Sequence, residues 1–146
     1  MRIALLVCVV ACVSACGGNS VSPSGASGSA ATNIAGTWNG TVVSSNNSDQ
    51  QLTMVLTQSG SDVSGNWNAT SVSWQGQISG TVSGSSFTGQ FKFSGTASSG
   101  TVCTGTADVV GSAAASAMAW TSASGVIGGS CPAPLPIGLR MDLQHQ

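Results

Sequence analysis

The chain is 146 residues long, with three Lys and Arg, four Asp and Glu, and a formal net charge of −1. So few cations exclude the basic patch that binding to nucleic-acid phosphates requires. Catalysis is also disfavoured, because the sequence has no nucleophile elbow, phosphate-cradling loop or metal-ligand spacing. We therefore expect no enzymatic activity, no metal and no cofactor, and we expect each candidate acid or base to be a solvated charge: Asp49, Asp62, Asp108, Asp142 and His145.

The N-terminus has the pattern of an export signal. Arg2 precedes the apolar residues 3–13, a run too short to span a membrane. The run ends in Val13-Ser14-Ala15-Cys16. This ending resembles the bacterial lipobox, in which the cysteine becomes the lipidated N-terminus after the signal peptide is removed. The resemblance implies a signal peptide of residues 1–15 and acyl chains such as palmitate on Cys16.

The lipid anchor sets the expected location. Two or more acyl chains hold a protein stably at a membrane surface without embedding it. Gly17 follows the cysteine where Asp would favour inner-membrane retention, so the resemblance favours the outer membrane of a Gram-negative cell. The alternatives are an ordinary cleaved signal with an incidental Cys16, or a metal-ligand set of Cys8, Cys12 and Cys16. Residues 16–33 comprise the lipidated cysteine and a Gly- and Ser-rich tether.

Residues 34–146 are predicted to form one all-β domain. Apolar or small residues alternate with polar ones, which is the period of a half-buried strand. Short Ser- and Gly-rich turns, such as residues 83–86, favour antiparallel pairing of successive strands. About eight such strands close most naturally into a small up-and-down barrel, and a Gly-rich β-helix is the rival architecture. Strand by strand, the inward residues are Trp38, Gly40 and Val42; Leu52, Met54 and Leu56; Val63, Gly65, Trp67 and Ala69; Trp74, Gly76, Ile78, Gly80 and Val82; Phe87, Gly89, Phe91 and Phe93; Cys103, Gly105, Ala107 and Val109; Met118 and Trp120; Leu139, Met141 and Leu143.

Three segments of the domain have less regular patterns. Residues 113–119 are assigned to strand, although Ala, Ser and Met would also tolerate a helical turn. Residues 44–50 are expected to be a polar loop. Residues 125–136 are expected to be irregular, because three prolines exclude regular strand pairing. Cys103 and Cys131 remain after signal removal, and export lets them oxidise to a disulfide that fixes this segment to strand six.

The domain resembles the calycins, the group of small barrels that includes lipocalins and avidins. Gly36-Thr37-Trp38 on the first strand matches the lipocalin Gly-x-Trp motif. The resemblance implies that Trp38 plugs one end of the barrel and that Arg140 packs over it. Residues 63–67 are similar to an avidin strand, yet the chain has no Tyr for a biotin site, so biotin binding is not predicted.

Two functions of different classes fit this sequence. We favour a filled barrel that serves as a structural or protein-interaction module of the bacterial envelope. The alternative is a barrel that holds one small apolar or amphipathic ligand against a wall of Trp67, Trp74, Phe91 and Trp120. A third possibility is protein inhibition through exposed loops such as residues 44–50.

Overall fold

A computed structural model describes residues 29–44, 47–69, 73–96, 100–129 and 139–146. Within these residues, antiparallel strands pair in chain order and close into a barrel. The predicted small up-and-down barrel is confirmed, and the β-helix alternative is wrong. The strands are β1 (Gly36–Ser44), β2 (Asn47–Ser59), β3 (Asp62–Ala69), β4 (Trp74–Ser83), β5 (Ser86–Thr96), β6 (Val102–Ala113), β7 (Ala117–Gly129) and β8 (Arg140–His145).

The period-two pattern of the sequence is the reason for this closure. On β3, for example, Val63 and Trp67 are buried and the residues between them are more exposed. Because successive side chains of a strand point to opposite faces, this alternation gives every strand one inward face. The inward faces together form a single buried cluster inside the barrel. The register of β1 with β8, from Trp38 opposite His145 to Val43 opposite Arg140, closes the sheet.

The structure corrects three predictions about the irregular segments. Residues 114–116 are not strand: β6 ends at Ala113, and the N–H of Ala114 donates to the carbonyl of Ala117 at 3.0 Å. Residues 125–129 are not irregular, because they continue β7 and pair with β6 up to Cys103 opposite Gly129. Residues 47–50 belong to β2, so the predicted loop at 44–50 is shorter than expected.

A β-bulge at Ala123 marks the place where β8 joins β7. Asp108 pairs with Ser124 and Val109 with Ser122, which leaves Ala123 as the extra residue. Ser122 is a buried polar side chain in the core, and its hydroxyl accepts the N–H of Leu139 at 2.9 Å. The N–H of Ser122 donates to the carbonyl of Leu139 at 3.0 Å. This reciprocal pair fixes the start of β8 against β7.

The two ends of the barrel differ. At one end, which we call the plugged end, the chain of residues 29–35 lies beside the β2–β3 and β4–β5 turns. Both turns have glycine first, Gly60 and Gly84, with φ of 61° and 57°, as two-residue hairpins favour. At the opposite end, which we call the far end, the four connections at 45–46, 70–72, 97–99 and 130–138 lie outside the described residues. The described part of the chain contains no helix of the length and apolarity needed to cross a membrane.

Candidate functional site

Trp38 lies near the plugged end of the barrel. Its side chain is 0% exposed, and its indole Nε1 donates to the carbonyl of Ile34 at 2.9 Å. Ile34 is also fully buried, so the segment before β1 packs into the barrel beside the indole. Gly36 precedes Trp38 with φ of +136°, and a Cβ there would collide with the ring of His145. The motif glycine is therefore favoured by its backbone conformation, and a side chain there would have to displace the His145 ring.

The prediction that Arg140 packs over Trp38 is wrong. Arg140 lies opposite Val43, five residues along β1 from Trp38, which is about 17 Å at the rise of a strand. Its side chain is 63% exposed and forms an ion pair with Asp142 at 2.8 Å. The residue that covers Trp38 is His145, whose ring is edge-on to the indole with centroids 4.8 Å apart. The cause is the register of β8, which brings its last residue to Trp38.

The predicted ligand wall does not form one surface. Trp67 contacts Phe91, with ring centroids 4.7 Å apart, in the half of the barrel toward the far end. Trp120 stacks instead on Phe87, with centroids 4.2 Å apart and an interplanar angle of 15°, near the plugged end. Trp74 stacks on Phe93 at 5.6 Å at the far end. The four predicted residues therefore lie at three levels of the barrel, each level paired through aromatic rings.

The predicted ligand wall did not include Phe87 and Phe93. Both were recognised in the sequence as inward, and both are buried. Only the cross-strand register could have assigned them to aromatic pairs. In that register Phe93 lies opposite Gly76, and Trp74 lies opposite Gly95. A glycine beside a large ring leaves room for that ring to lie over the neighbouring strand. The sequence shows the glycines but not which strand positions face them.

The inward glycines face occupied space. A Cβ at Gly95 would lie 2.5 Å from the indole of Trp74, and a Cβ at Gly111 would lie 2.8 Å from Trp120 Cδ1. At Gly80 the nearest side-chain atom is Phe87 Cζ at 2.7 Å. At Gly40, Gly65 and Gly76 a Cβ would collide with a backbone carbonyl of the neighbouring strand, namely those of Asp142, Val55 and Lys92. These glycines therefore permit close strand approach and ring packing.

Three indole groups of the described barrel are bonded to its own backbone. The indole Nε1 of Trp67 donates to the carbonyl of Lys92 at 3.1 Å, and that of Trp120 donates to the carbonyl of Ser112 at 3.1 Å. A ligand pocket needs a few polar groups aimed into its cavity. The indoles of Trp38, Trp67 and Trp120 are instead committed to the barrel's own backbone, which fixes their orientation.

Burial is less complete toward the far end. Trp67 is 8% exposed, whereas Trp120 is 0% exposed. Trp74 is only half-buried, and it packs against the edge of the core. The predicted aromatic residues that approach the surface of the described barrel are therefore at this end, next to the connections outside the described residues.

The titratable groups are dispersed over the outside of the barrel. Asp108 accepts a 3.3 Å hydrogen bond from Gln90, and Asp142 pairs with Arg140. Asp62 begins β3 at the plugged end. In the described ranges no three His, Cys, Asp or Glu side chains come together to hold a metal ion.

A cleft lies at the plugged end, between the N-terminal segment and the neighbouring turns. Its walls are small and uncharged, and they offer hydroxyl groups as their polar side chains. The lining residues are Ser29, Ala31, Gly60, Ser61, Thr81, Val82 and Ser83.

No family model, curated protein or solved structure matches this chain. The resemblance to calycins therefore stays a prediction from the motif at residues 36–38. The departure from that pattern is His145 in the place expected for Arg140.

Proposed function

We propose that this protein is a lipid-anchored lipoprotein of the bacterial envelope whose barrel is a non-enzymatic structural or protein-interaction module. The signal at residues 1–15 and the anchor on Cys16 lie outside the described residues, and the lipobox-like sequence supports them. The main observation that supports such a module is that side chains occupy the interior of the barrel. Beside Gly80, Gly95 and Gly111, where a cavity would be expected, the rings of Phe87, Trp74 and Trp120 are present.

The aromatic contacts support the same assignment. Each of the pairs Trp67–Phe91, Trp74–Phe93 and Trp120–Phe87 joins side chains of different strands. Such contacts contribute about 0.5–1.5 kcal/mol each beyond area burial. They stabilise the barrel at several levels along its axis, which is what a filled interior requires. In such a barrel, other molecules would bind to the outer face and the loops.

The disulfide between Cys103 and Cys131 is part of this proposal. Cys103 is buried on β6 and lies opposite Gly129, the last residue of β7. Cys131 lies outside the described residues, but only two positions after Gly129 in the chain. This short sequence offset from the pairing partner of Cys103 supports the proposed disulfide, which needs a Cα separation of about 5–6 Å.

A small-ligand function is the second candidate, and one observation favours it. Trp74 at the far end is half-buried with its ring stacked on Phe93, so an apolar molecule would find an aromatic surface there. The site would be confined to this end, because Trp120 and Phe87 are packed on each other near the plugged end.

Native mass spectrometry of the exported protein, before and after exposure to envelope extract, tests the proposal. We expect the bare mass of the chain from Cys16 plus its acyl chains, with no further small-molecule mass. A discrete added mass that is lost on denaturation would support the ligand candidate and overturn the filled module. An exported protein without acyl mass on Cys16 would overturn the anchor alone.

A further inference from the structure

The N-terminal segment, residues 29–35, is bound at the plugged end through its main chain. The N–H of Ile34 donates to Gln58 Oε1 at 2.8 Å, and Gln58 Nε2 donates to the carbonyl of Thr32 at 3.0 Å. The N–H of Thr32 donates to the carbonyl of Gly84 at 2.9 Å. These three bonds use only main-chain atoms of the segment. An extended segment of different sequence is therefore able to form the same bonds.

The side chain of Ile34 anchors the segment in the barrel. Ile34 is 0% exposed and belongs to the buried cluster of the interior. Its carbonyl accepts the indole N–H of Trp38 at 2.9 Å. The plugged end thus combines an apolar site for one branched aliphatic side chain with hydrogen-bonding groups for the main chain around it. In peptide recognition, such main-chain bonds supply affinity and the side-chain site supplies specificity.

The segment leaves the space beside it unfilled. The cleft at the plugged end has a volume of about 650 Å³, and Ser29 and Ala31 are the residues of the segment that line it. The rest of its described lining comes from β4 and the β2–β3 turn, and all the described lining residues are uncharged. Because Ser and Ala have small side chains, larger apolar side chains at these two positions would bury more surface in the cleft.

We propose that the plugged end is a docking site for an extended, uncharged segment of a partner protein, which takes the place of residues 29–34. The partner segment has Ile or Val at the position of Ile34, and larger apolar residues at the positions of Ser29 and Ala31. The chain's own segment occupies the site when the partner is absent and so acts as an intramolecular competitor. The inference deepens the proposed function, and it rests on the protein-interaction module proposed there.

The partner segment has to overcome the advantage of a segment that is joined to the barrel. A joined segment is present at a high effective concentration, so a free segment of the same sequence displaces it poorly. Additional apolar side chains in the cleft compensate for this advantage, because removal of apolar surface from water favours the bound state. A charged side chain would instead lose hydration in the cleft, where the described lining has no opposite charge. The partner segment is therefore apolar where it enters the cleft.

Hydrogen exchange of the full chain tests whether the cleft accepts a larger side chain. In Ala31→Leu, the amides of Thr32 and Ile34 are expected to exchange more slowly than in the unsubstituted chain, because the leucine fills part of the cleft. Ala30→Leu is the matched control, since Ala30 is exposed and does not line the cleft. Unchanged or faster exchange in Ala31→Leu would overturn the inference.

A dye-labelled peptide tests docking by a separate segment. The peptide has the sequence of residues 29–35 with Ser29→Leu and Ala31→Leu, and fluorescence anisotropy measures its binding to the full chain carrying Ile34→Ala. We expect binding that is about tenfold tighter than to the unsubstituted chain, whose own segment competes. A second peptide that also carries Ile34→Asp is expected not to bind.

Two results would overturn the docking site: no binding of the first peptide to the Ile34→Ala chain, or equal binding of both peptides. Equal binding of the first peptide to both chains would overturn the intramolecular competition. If the Ile34→Ala chain does not fold by circular dichroism, Thr32→Pro takes its place, because proline removes the N–H that bonds to Gly84.

Native mass spectrometry distinguishes a failure of this inference from a failure of the proposed function. A small molecule retained by the exported protein would overturn the filled module whatever the peptides do. A bare protein that binds neither peptide would leave the filled barrel in place and overturn the docking site alone.

Discussion

Trp38 of β1 and His145 of β8 meet edge to face, with ring centroids 4.8 Å apart and planes at 83°. This contact joins the first and last strands at the plugged end, where Gly36 leaves space for the histidine ring. The closing seam of the barrel is therefore stabilised by side-chain packing as well as by the β1–β8 ladder.

His145→Ala is expected to lower the free energy of unfolding by about 0.5–1.5 kcal/mol, the usual contribution of an aromatic contact. Arg140→Ala, on the same strand, is the matched control. Because Arg140 is exposed and its ion pair with Asp142 lies at the surface, its loss is expected to cost at most about 1 kcal/mol. Urea unfolding followed by tryptophan fluorescence gives both values. A larger loss for the arginine variant would restore the role that the lipocalin motif implied.

Gly76→Ala is expected to be severely destabilising, because the new Cβ would collide with the backbone carbonyl of Lys92. Overpacking of a core side chain costs about 1–3 kcal/mol, and a collision with backbone is expected to exceed that. Ser79→Ala is the control, since Ser79 lies on the outer face of the same strand. Circular dichroism melts compare the two. A melting temperature for Gly76→Ala equal to that of the control would contradict the close strand approach.

The sequence was sufficient for the strand order and for most of the inward faces, because the period of two holds along the strands outside irregularities such as the bulge at Ala123. It was not sufficient for the contacts within the barrel. Residue spacing on one strand does not reveal register against another, so Trp120 was grouped with Trp67 although they belong to different aromatic pairs. His145 was expected to be a solvated charge, because its position in the chain does not show that the β1–β8 register brings it to Trp38.

The alternation of apolar and polar residues also did not predict where the strands end. Residues 114–116 are small and compatible with strand, turn or helix, and the hairpin between β6 and β7 fixes their conformation. Residues 125–129 extend β7 because they pair with β6. The sequence-based prediction of an irregular segment rested on the prolines that follow these residues. Gln58 gave no signal in the sequence, because an exposed Gln in a strand is ordinary until a neighbouring segment uses its amide.

Gln58→Leu is expected to release the N-terminal segment, because the leucine cannot replace the three hydrogen bonds to Ile34, Thr32 and Gly60. At about 0.5–1.5 kcal/mol for each bond, the segment should become less protected while the barrel stays folded. Hydrogen exchange of the Thr32 and Ile34 amides is the measurement. Gln75→Leu on the exposed face of β4 is the control and should leave both amides protected. Unchanged exchange in Gln58→Leu would show that Ile34 burial alone holds the segment.

Trp120→Ala and Trp74→Ala distinguish a filled barrel from one with a site at the far end. Trp120 is fully buried on Phe87, so its truncation is expected to cost about 3–5 kcal/mol. Trp74 is half-buried, so its truncation should cost less. Thermal melts with and without extracted envelope lipid provide the comparison. Stabilisation by lipid that is lost only in Trp74→Ala would favour the small-ligand function, and no lipid effect in any variant is expected for the proposed module.

The disulfide prediction concerns Cys103, opposite the last residue of β7, and Cys131, two positions further along the chain. Protein exported to an oxidising compartment should have an intact mass lower than its reduced form by about two daltons, the two thiol hydrogens lost on oxidation. Reduction should lower the free energy of unfolding by about 3–4 kcal/mol, because the closed loop restricts the unfolded chain. The double variant Cys103→Ser, Cys131→Ser should have the same lowered stability with or without reductant. If the exported protein keeps two reactive thiols, the disulfide assignment is wrong.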